Sequence, residues 1–168
     1  GRKDIVQADV DTKKLSFDVK MNVYDSGIVC DKLRLNQVLL NILSNAIKYT
    51  PAGGTVVMQV DEKESEKLNS ALFEIRIRDN GLGMSEEFLK TIYEPFTRAN
   101  SSTVSGIQGT GLGMSITKNI VEMMGGKIEI FSEENKGTEV VLDIDFVLHD
   151  TDSAGFKLPI GIANFKGK

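Results

Sequence analysis

The sequence predicts an α+β sandwich, in which one mixed, mainly antiparallel sheet carries helices on one face. Alternating apolar and polar residues predict two pairs of strands. A charged connection joins the strands of the first pair, and a turn joins those of the second. A long amphipathic helix lies in the first half of the chain, and two further helices follow glycine-bearing loops. With 168 residues and a hydrophobic content of 40%, the chain is large enough for one folded domain.

The first half begins with weakly helical residues at 4–13, followed by an alternating strand at 15–21. A helix is predicted from Asp31, a capping residue, to Tyr49, because Pro51 cannot continue it. Two glycines then turn the chain into a hairpin of strands 55–60 and 71–78, joined by a charged, solvated connection at 61–70.

In the second half, Ser85 is predicted to cap a short helix at 85–93. Residues 97–111 have no periodicity and contain glycine, which is typical of a mobile functional loop, here a lid. A helix at 112–124 ends at Gly125 and Gly126. Strands 127–131 and 138–147, with a turn at 132–137 between them, should form a second antiparallel hairpin.

Composition excludes several function classes. The 20 basic and 24 acidic residues give a net charge of −4, which argues against nucleic acid as a partner. No apolar run reaches membrane-spanning length and no signal peptide opens the chain, so we expect a cytoplasmic domain. Cys30 is predicted to be a small buried residue, and the single histidine, His149, to lie in a solvated tail. Multi-histidine metal sites and serine-histidine-aspartate catalysis are therefore not expected.

The long helix has two contrasting faces. Its apolar positions share one face at helical spacing: Leu35, Leu39, Ile42, Leu43 and Ala46. Asn41, Asn45 and Lys48 share the opposite face, together with Arg34 and Gln37. This face is either an exposed polar surface or a site for a magnesium nucleotide, because amide oxygens can bind Mg²⁺ and a lysine can contact phosphate.

The chain contains two glycine-rich loops, "DNGLGM" at 79–84 and "GTGLGM" at 109–114. Neither fits a Rossmann fingerprint or a Walker A loop. The second opens a helix, where glycine lets free backbone N–H groups approach an anion such as a phosphate. Asp79 ends a strand, and a buried carboxylate there would accept from the amino group of adenine, which guanine lacks at that position.

In this order, the motifs resemble the catalytic and ATP-binding domain of sensor histidine kinases, part of the superfamily that includes type II topoisomerases, Hsp90 chaperones and mismatch-repair ATPases. "NILSNAIKYTP" matches the N box, "DNGLGM" and "GTGLGM" two glycine boxes, "EPFTR" the phenylalanine box and "KGTEV" a third glycine box. The resemblance runs from about residue 4 to 147. It implies a two-layer Bergerat-type fold with ATP and Mg²⁺ as cofactors.

The resemblance also implies residue roles. Asn45, with Asn41, resembles the Mg²⁺ ligand, and Lys48 and Tyr49 resemble phosphate and ribose contacts. Asp79, Gly81 and Gly83 resemble the adenine site, and Thr138 the threonine that reaches adenine through water. Phe96 resembles the lid hinge and Arg98 a lid arginine that faces the phosphates. The loop that resembles the phosphate cradle comprises Gly109, Thr110, Gly111, Leu112 and Gly113.

Related ATP hydrolases place a water-activating glutamate where this chain has Asn41, an amide that cannot act as a general base. We therefore expect slow hydrolysis and a kinase whose acceptor histidine lies on a separate helical dimerisation domain of the same protein. An anti-sigma-type serine kinase and a non-catalytic nucleotide-binding module remain alternatives.

The expected domain covers residues 1–147. The tail at 148–168 resembles a connection to a receiver domain, or is an ordinary linker, so a receiver domain or response regulator is the expected downstream partner. The fragment is expected to be monomeric. The parent protein is expected to be a homodimer that could be anchored in the inner membrane.

Overall fold

The computed structural model describes residues 13–23, 28–94 and 113–148. The elements in these residues are β1 (Ser16–Asn22), β2 (Ile28–Val29), α1 (Lys32–Tyr49), β3 (Thr55–Glu64), β4 (Ser70–Asp79), α2 (Glu86–Thr91), α3 (Gly113–Met123), β5 (Lys127–Glu133) and β6 (Gly137–Leu148). Most of the helix expected at 4–13, the loop at 97–111 and the tail that contains His149 lie outside the described residues.

The strands form one mixed sheet. Its order is β1-β3-β4-β6, and both β5 and the two-residue β2 pair with the other edge of β6. The β1–β3 pair is parallel, and the remaining pairs are antiparallel. This confirms the mixed, mainly antiparallel sheet and both predicted hairpins. The short strand β2 was not predicted, because two residues carry no detectable periodicity.

Predicted helix signals correspond to observed caps. The Asp31 carboxylate accepts from the backbone N of Arg34 at 3.1 Å, and the Ser85 hydroxyl accepts from the backbone N of Phe88 at 3.1 Å. Gly125 follows α3 with a φ of 78°, a conformation in which glycine carries no side-chain penalty. The contacts of Asp31 and Ser85 satisfy backbone N–H groups that have no partner within the first turn of each helix.

The predicted solvated connection at 61–70 was wrong in its first half, because β3 continues to Glu64 opposite Ala71. Neighbouring strands compensate the charges there. The carboxylate of Asp61 accepts from Asn22 Nδ2 at 2.7 Å, and Lys63 lies 3.1 Å from a carboxylate oxygen of Glu74. Charged composition therefore did not mark the end of this strand.

The turn between the last two strands is also shorter than predicted. It was expected to cover residues 132–137, but β5 continues to Glu133 and β6 begins at Gly137. The residues between them form a tight turn in which Asn135 has a φ of 64°. Cys30 is half-buried at the edge of the core rather than fully buried, and this burial raises the pKa of its thiol.

The helices and the sheet enclose one hydrophobic core. All five predicted apolar residues of α1 are buried, and so are its residues Val38, Leu40 and Ile47. Alternate residues of β3 and β4 complete the core beneath the helices: Val56, Met58, Val60, Phe73, Ile75 and Ile77. The opposite face of the sheet carries ion pairs of Arg76 with Glu74 and Glu139. The helices therefore cover one face, as the sandwich requires.

None of the helices in the described part of the chain combines the length and apolar character needed to cross a membrane.

Candidate functional site

The polar face of α1 packs towards α3 instead of lying fully in solvent. Asn41 and Asn45 are half-buried, whereas Lys48 is exposed. The side-chain nitrogen of Asn41 donates to the hydroxyl of Thr117, a fully buried residue of α3, at 3.3 Å. This bond uses the amide nitrogen of Asn41, so the amide oxygen is the atom that could act as a ligand.

Thr117 was not predicted as part of this region. It lies on α3, one turn after the second glycine loop, and its hydroxyl is the α3 partner of the asparagine face. A threonine inside an apolar helix is a weak signal by itself. Its importance appears only when α1 and α3 are packed together.

The end of α1 is held by a residue that was also not predicted. The ammonium group of Lys13 donates to the backbone oxygens of Ile47 at 3.0 Å, Lys48 at 2.7 Å and Thr50 at 3.3 Å. A cation is favourable at this position, because the last carbonyls of a helix lack partners and carry partial negative charge. Lys13 therefore fixes the end of the helix from which Tyr49 projects.

The first glycine loop begins directly against this helix end. The backbone N of Leu82 donates to the carbonyl of Tyr49 at 3.0 Å. Gly81 is buried, and a Cβ at its position would overlap the same carbonyl oxygen. Glycine at position 81 is thus required for close approach of the loop to α1.

The turn between β5 and β6 holds the loop from the other side. The backbone N of Asn135 donates to the carbonyl of Leu82 at 2.6 Å. Gly83 has a φ of 67°, and a Cβ there would overlap the carbonyl oxygen of Glu133. The loop 79–84 is consequently held between the end of α1 and the β5–β6 turn.

Asp79 ends β4 as a buried carboxylate, with 8% of its surface exposed. The carboxylate accepts from the backbone N of Gly81 at 2.9 Å and from the backbone N of Thr138. Burial raises the pKa of Asp79 above its usual 3.8, although both hydrogen bonds oppose the rise. Among the described residues, no basic side chain forms an ion pair with this carboxylate.

Asp79, Thr138 and Ser132 form a row across three neighbouring strands. Asp79 pairs with Thr138 between β4 and β6, and Thr138 pairs with Ser132 between β6 and β5. Paired residues of adjacent strands project to the same face, so the three side chains lie side by side on the helix-covered face. The hydroxyls of Ser132 and Thr138 are 2.7 Å apart.

The structure therefore brings together one part of the predicted site. Tyr49 and the loop 79–84 meet at the end of α1, and Asn45 and Asn41 lie about one and two turns before that end. Thr138 adjoins Asp79. Gly113 is the first residue of α3. The other predicted site residues lie outside the described residues: Phe96, Arg98, Gly109, Thr110, Gly111 and Leu112.

The described residues contain no group of three or more histidine, cysteine, aspartate or glutamate side chains arranged to hold a metal ion. The residues that could contribute to a Mg²⁺ site are the amides of Asn41 and Asn45. Their neutral oxygens suit a hard cation that takes its remaining ligands from phosphates and water.

Comparison with known proteins agrees with this arrangement. Residues 30–148 match the profile of the family described as histidine kinase-, DNA gyrase B- and HSP90-like ATPases. Autoinducer 2 sensor kinase/phosphatase LuxQ of Vibrio vulnificus strain CMCP6 is 40% identical over 133 residues, covering 79% of this chain and 15% of that protein. Hybrid signal transduction histidine kinase A of Dictyostelium discoideum is 38% identical over 136 residues, covering 76% of this chain and 6% of that protein.

A solved structure shows the same fold. Full-length ShkA in complex with AMPPNP superposes with a TM-score of 0.69 at 23% identity, covering 88% of this chain and 29% of that one. The chain thus spans a small part of the curated relatives, at most 15% of the length of those two. The relatives do not favour the alternatives of a serine kinase or a passive nucleotide binder. The chain belongs to the family of histidine kinase-, DNA gyrase B- and HSP90-like ATPases, and its similarity is to the ATP-binding catalytic domains of sensor histidine kinases.

Proposed function

We propose that the chain binds Mg-ATP and transfers the γ-phosphate to a histidine on a separate helical domain of the same polypeptide. The observation that carries the nucleotide assignment is Asp79. It is a buried carboxylate that receives backbone N–H groups and forms no ion pair among the described residues. Its remaining acceptor capacity matches the amino group of adenine and not the carbonyl of guanine.

The α1 residues would hold the other end of the nucleotide. Asn45, with Asn41, would hold Mg²⁺, which would neutralise charge on the phosphates when bound. Lys48 lies about one turn beyond Asn45 and would contact a phosphate, and Tyr49 at the helix end would contact the ribose. Gly113 places the N-terminus of α3 directly after the second glycine loop, where backbone N–H groups favour an anion.

The same site supports transfer better than hydrolysis. Asn41 occupies the position of the water-activating glutamate, and its amide nitrogen is engaged with Thr117. An amide does not take a proton from water, so attack by water is not assisted. Phosphoryl transfer depends mainly on positioning and charge neutralisation, which these residues can provide once a nucleophile is supplied.

The partners follow from this chemistry. An acceptor histidine would be carried by a helical dimerisation domain of the parent protein, which would be a homodimer that works beside the cytoplasmic membrane face or in the cytoplasm. The relatives are much longer proteins, and one is named a hybrid kinase, which supports further domains in the same polypeptide. Residues 148–168 would connect to a receiver domain, or the phosphate would pass to a separate response regulator.

The substitution Asp79→Asn tests the nucleotide assignment. We expect calorimetry of the wild-type chain to show Mg-ATP binding that is much tighter than Mg-GTP binding. In the variant, ATP affinity should fall roughly 10- to 100-fold, because one acceptor oxygen of the carboxylate becomes an amide donor that faces the amino group of adenine. Equal wild-type affinity for GTP and ATP would contradict the assignment.

Stability measurements separate this effect from unfolding. Because burial raises the pKa of Asp79 above 3.8, its contribution to stability is fully present below pH 3.8 and is lost as the pH rises through the folded-state pKa. Asparagine does not ionise. Urea unfolding should therefore show that the free energy of unfolding of the variant increases relative to that of the wild type as the pH rises from 3.8 through the folded-state pKa of Asp79. The variant should nevertheless bind ATP weakly.

The substitution Asn45→Ala tests the magnesium assignment. We expect Mg²⁺ to tighten ATP binding to the wild-type chain and to have little effect on the variant, a difference of at least about tenfold. Calorimetric titrations with Mg²⁺ and with a chelator measure it. Asn119→Ala is a matched control, since Asn119 is an exposed asparagine of α3. An unchanged response to Mg²⁺ in Asn45→Ala would remove Asn45 from the metal site.

A further inference from the structure

The ammonium group of Lys13 is used completely at the end of α1. A lysine ammonium has three N–H donors and no acceptor. The three donors match the three backbone oxygens that Lys13 contacts, those of Ile47, Lys48 and Thr50. Pro51 has no N–H, so the carbonyl of Ile47, four residues earlier, cannot be bonded within the helix, and Lys13 supplies its donor.

The backbone of Lys13 is joined to the turn that follows the same helix. Its carbonyl accepts from the backbone N of Gly53 at 3.1 Å. Close by, the backbone N of Ser16 donates to the carbonyl of Gly54 at 2.9 Å. The side chain of Lys13 is partly buried and folds back from this turn onto the helix end. Lys13 therefore ties the turn to the last residues of α1.

The first glycine loop is attached to the same part of the chain. The backbone N of Leu82 donates to the carbonyl of Tyr49 at 3.0 Å. The side-chain oxygen of Asn80 accepts from the backbone N of Thr55 at 2.8 Å, and the backbone N of Asn80 donates to the carbonyl of Thr55 at 3.2 Å. The carbonyl that receives Leu82 thus lies between two carbonyls that Lys13 holds.

We propose that Lys13 is a positioning residue for the adenine and ribose end of the site, acting through the last turn of α1. The inference rests on the proposed binding of ATP. Without the ammonium group, water can reach these carbonyls because Lys13 is only partly buried, so the chain remains folded. The helix end and the bond from Leu82 to Tyr49 become looser, and ordering them again on binding costs affinity.

The experiment measures the affinity of Mg-ATP for Lys13→Met and Lys13→Arg by calorimetry. Methionine keeps an unbranched stem but removes the charge and all three donors. In Lys13→Met we expect ATP to bind about 5- to 20-fold more weakly. Arginine keeps a cation with several donors at the negative end of the helix dipole, so Lys13→Arg should stay within about threefold of the wild type.

Comparison of ATP with ADP distinguishes positioning from a direct phosphate contact. A residue that positions the adenine and ribose end affects both nucleotides alike, so the affinity of Mg-ADP should fall by the same factor in Lys13→Met. A loss for ATP that clearly exceeds the loss for ADP would assign Lys13 to the γ-phosphate and would overturn the proposal. Lys20→Met removes an exposed lysine of β1 and controls for the change in net charge.

A matched variant separates positioning from support of the fold. Asp31→Ala removes the cap at the other end of α1, where the carboxylate accepts from the backbone N of Arg34. It should lower the free energy of unfolding while the folded protein keeps its ATP affinity. Equal loss of affinity in Asp31→Ala and Lys13→Met would reduce the role of Lys13 to stability. If Lys13→Met does not fold, Lys13→Gln, which is neutral and has only two side-chain donors, carries the same expectation.

Hydrogen exchange of the free protein tests the connection without a ligand. In Lys13→Met the amide of Leu82 should exchange about tenfold faster than in the wild type, because its acceptor lies on the loosened turn. The amides of β4, in the middle of the sheet, should keep their rates. An unchanged rate at Leu82 would overturn the proposed connection.

Failure of the proposed function gives a different result. If the wild-type chain does not bind Mg-ATP, the nucleotide assignment fails, and the role of Lys13 in binding fails with it. If the wild type binds Mg-ATP and Lys13→Met binds it equally well, the proposed function stands and only the role of Lys13 is wrong.

Discussion

Replacing Gly137 with alanine is expected to remove measurable ATP binding and to destabilise the fold by about 2–4 kcal/mol. Gly137 has a φ of 125°, which side chains rarely adopt. A Cβ there would also overlap the carbonyl oxygen of Asp79 and lie 2.9 Å from the Cα of Asn80. The obstacle is rigid backbone, so the start of β6 must move away from the end of β4.

That movement acts directly on the adenine end of the site. Thr138 follows Gly137, and its backbone N donates to the carboxylate of Asp79. The carbonyl of Gly137 accepts from Ser132. Displacing the strand separates these groups together, so we expect ATP affinity to fall more than about a hundredfold. Calorimetry with ATP and thermal unfolding of the free variant measure the two effects.

Gly125→Ala is the matched control for backbone strain. Gly125 also has a positive φ, 78°, but a Cβ there meets no atom within 4 Å. It lies just before the start of β5, whereas Gly137 pairs with the last residue of β5. Its variant should lose about 1–2 kcal/mol of stability and keep its ATP affinity. Wild-type ATP affinity in Gly137→Ala would mean that the β5–β6 turn does not position the site.

The parts of this site that the sequence predicts are those encoded within short segments. Asn41 and Asn45 lie one turn apart on one helix, and Asp79 directly precedes its glycine loop, so local spacing carries the information. The buried face of α1 and the helix caps are predictable for the same reason. The position of Asp79 at the end of a strand was predicted in this way and is confirmed, and the structure shows that its side chain is buried.

The residues that the sequence does not reveal act through distant partners. Asn41 and Thr117 are 76 positions apart, Lys13 and Lys48 are 35 apart, and Met84 and Ser132 are 48 apart. No local pattern relates such pairs. Packing of α1 against α3 brings Asn41 to Thr117, and pairing of β6 with both β4 and β5 brings Met84 to Ser132. Lys13 is placed by the pairing of β1 with β3. The charged end of β3 was misjudged similarly, since its charges are compensated from adjacent strands.

The largest effect is expected for phosphoryl transfer itself, which should be all or none. Incubated alone with ATP labelled at the γ-phosphate, the chain should remain unlabelled and release phosphate slowly. It is proposed to orient the phosphate through Asn45, Lys48 and the second glycine loop, but it carries no nucleophile assigned to receive it. Addition of the helical domain of the parent polypeptide should produce label on a histidine of that domain.

The stability of the labelled bond in acid and base identifies the phosphorylated residue, and the variant Asn45→Ala tests whether transfer depends on the metal site. A phosphorylated histidine is labile in acid and stable in base, whereas a phosphoserine is stable in acid, so the two kinase classes give opposite responses. Asn45→Ala should abolish labelling of the added domain if Asn45 holds the metal, and Asn119→Ala should not.

Rapid ATP hydrolysis by the chain alone would place it with the hydrolases despite Asn41. Label on His149 would show that the acceptor lies within this chain, and the proposed division into two domains would then be wrong.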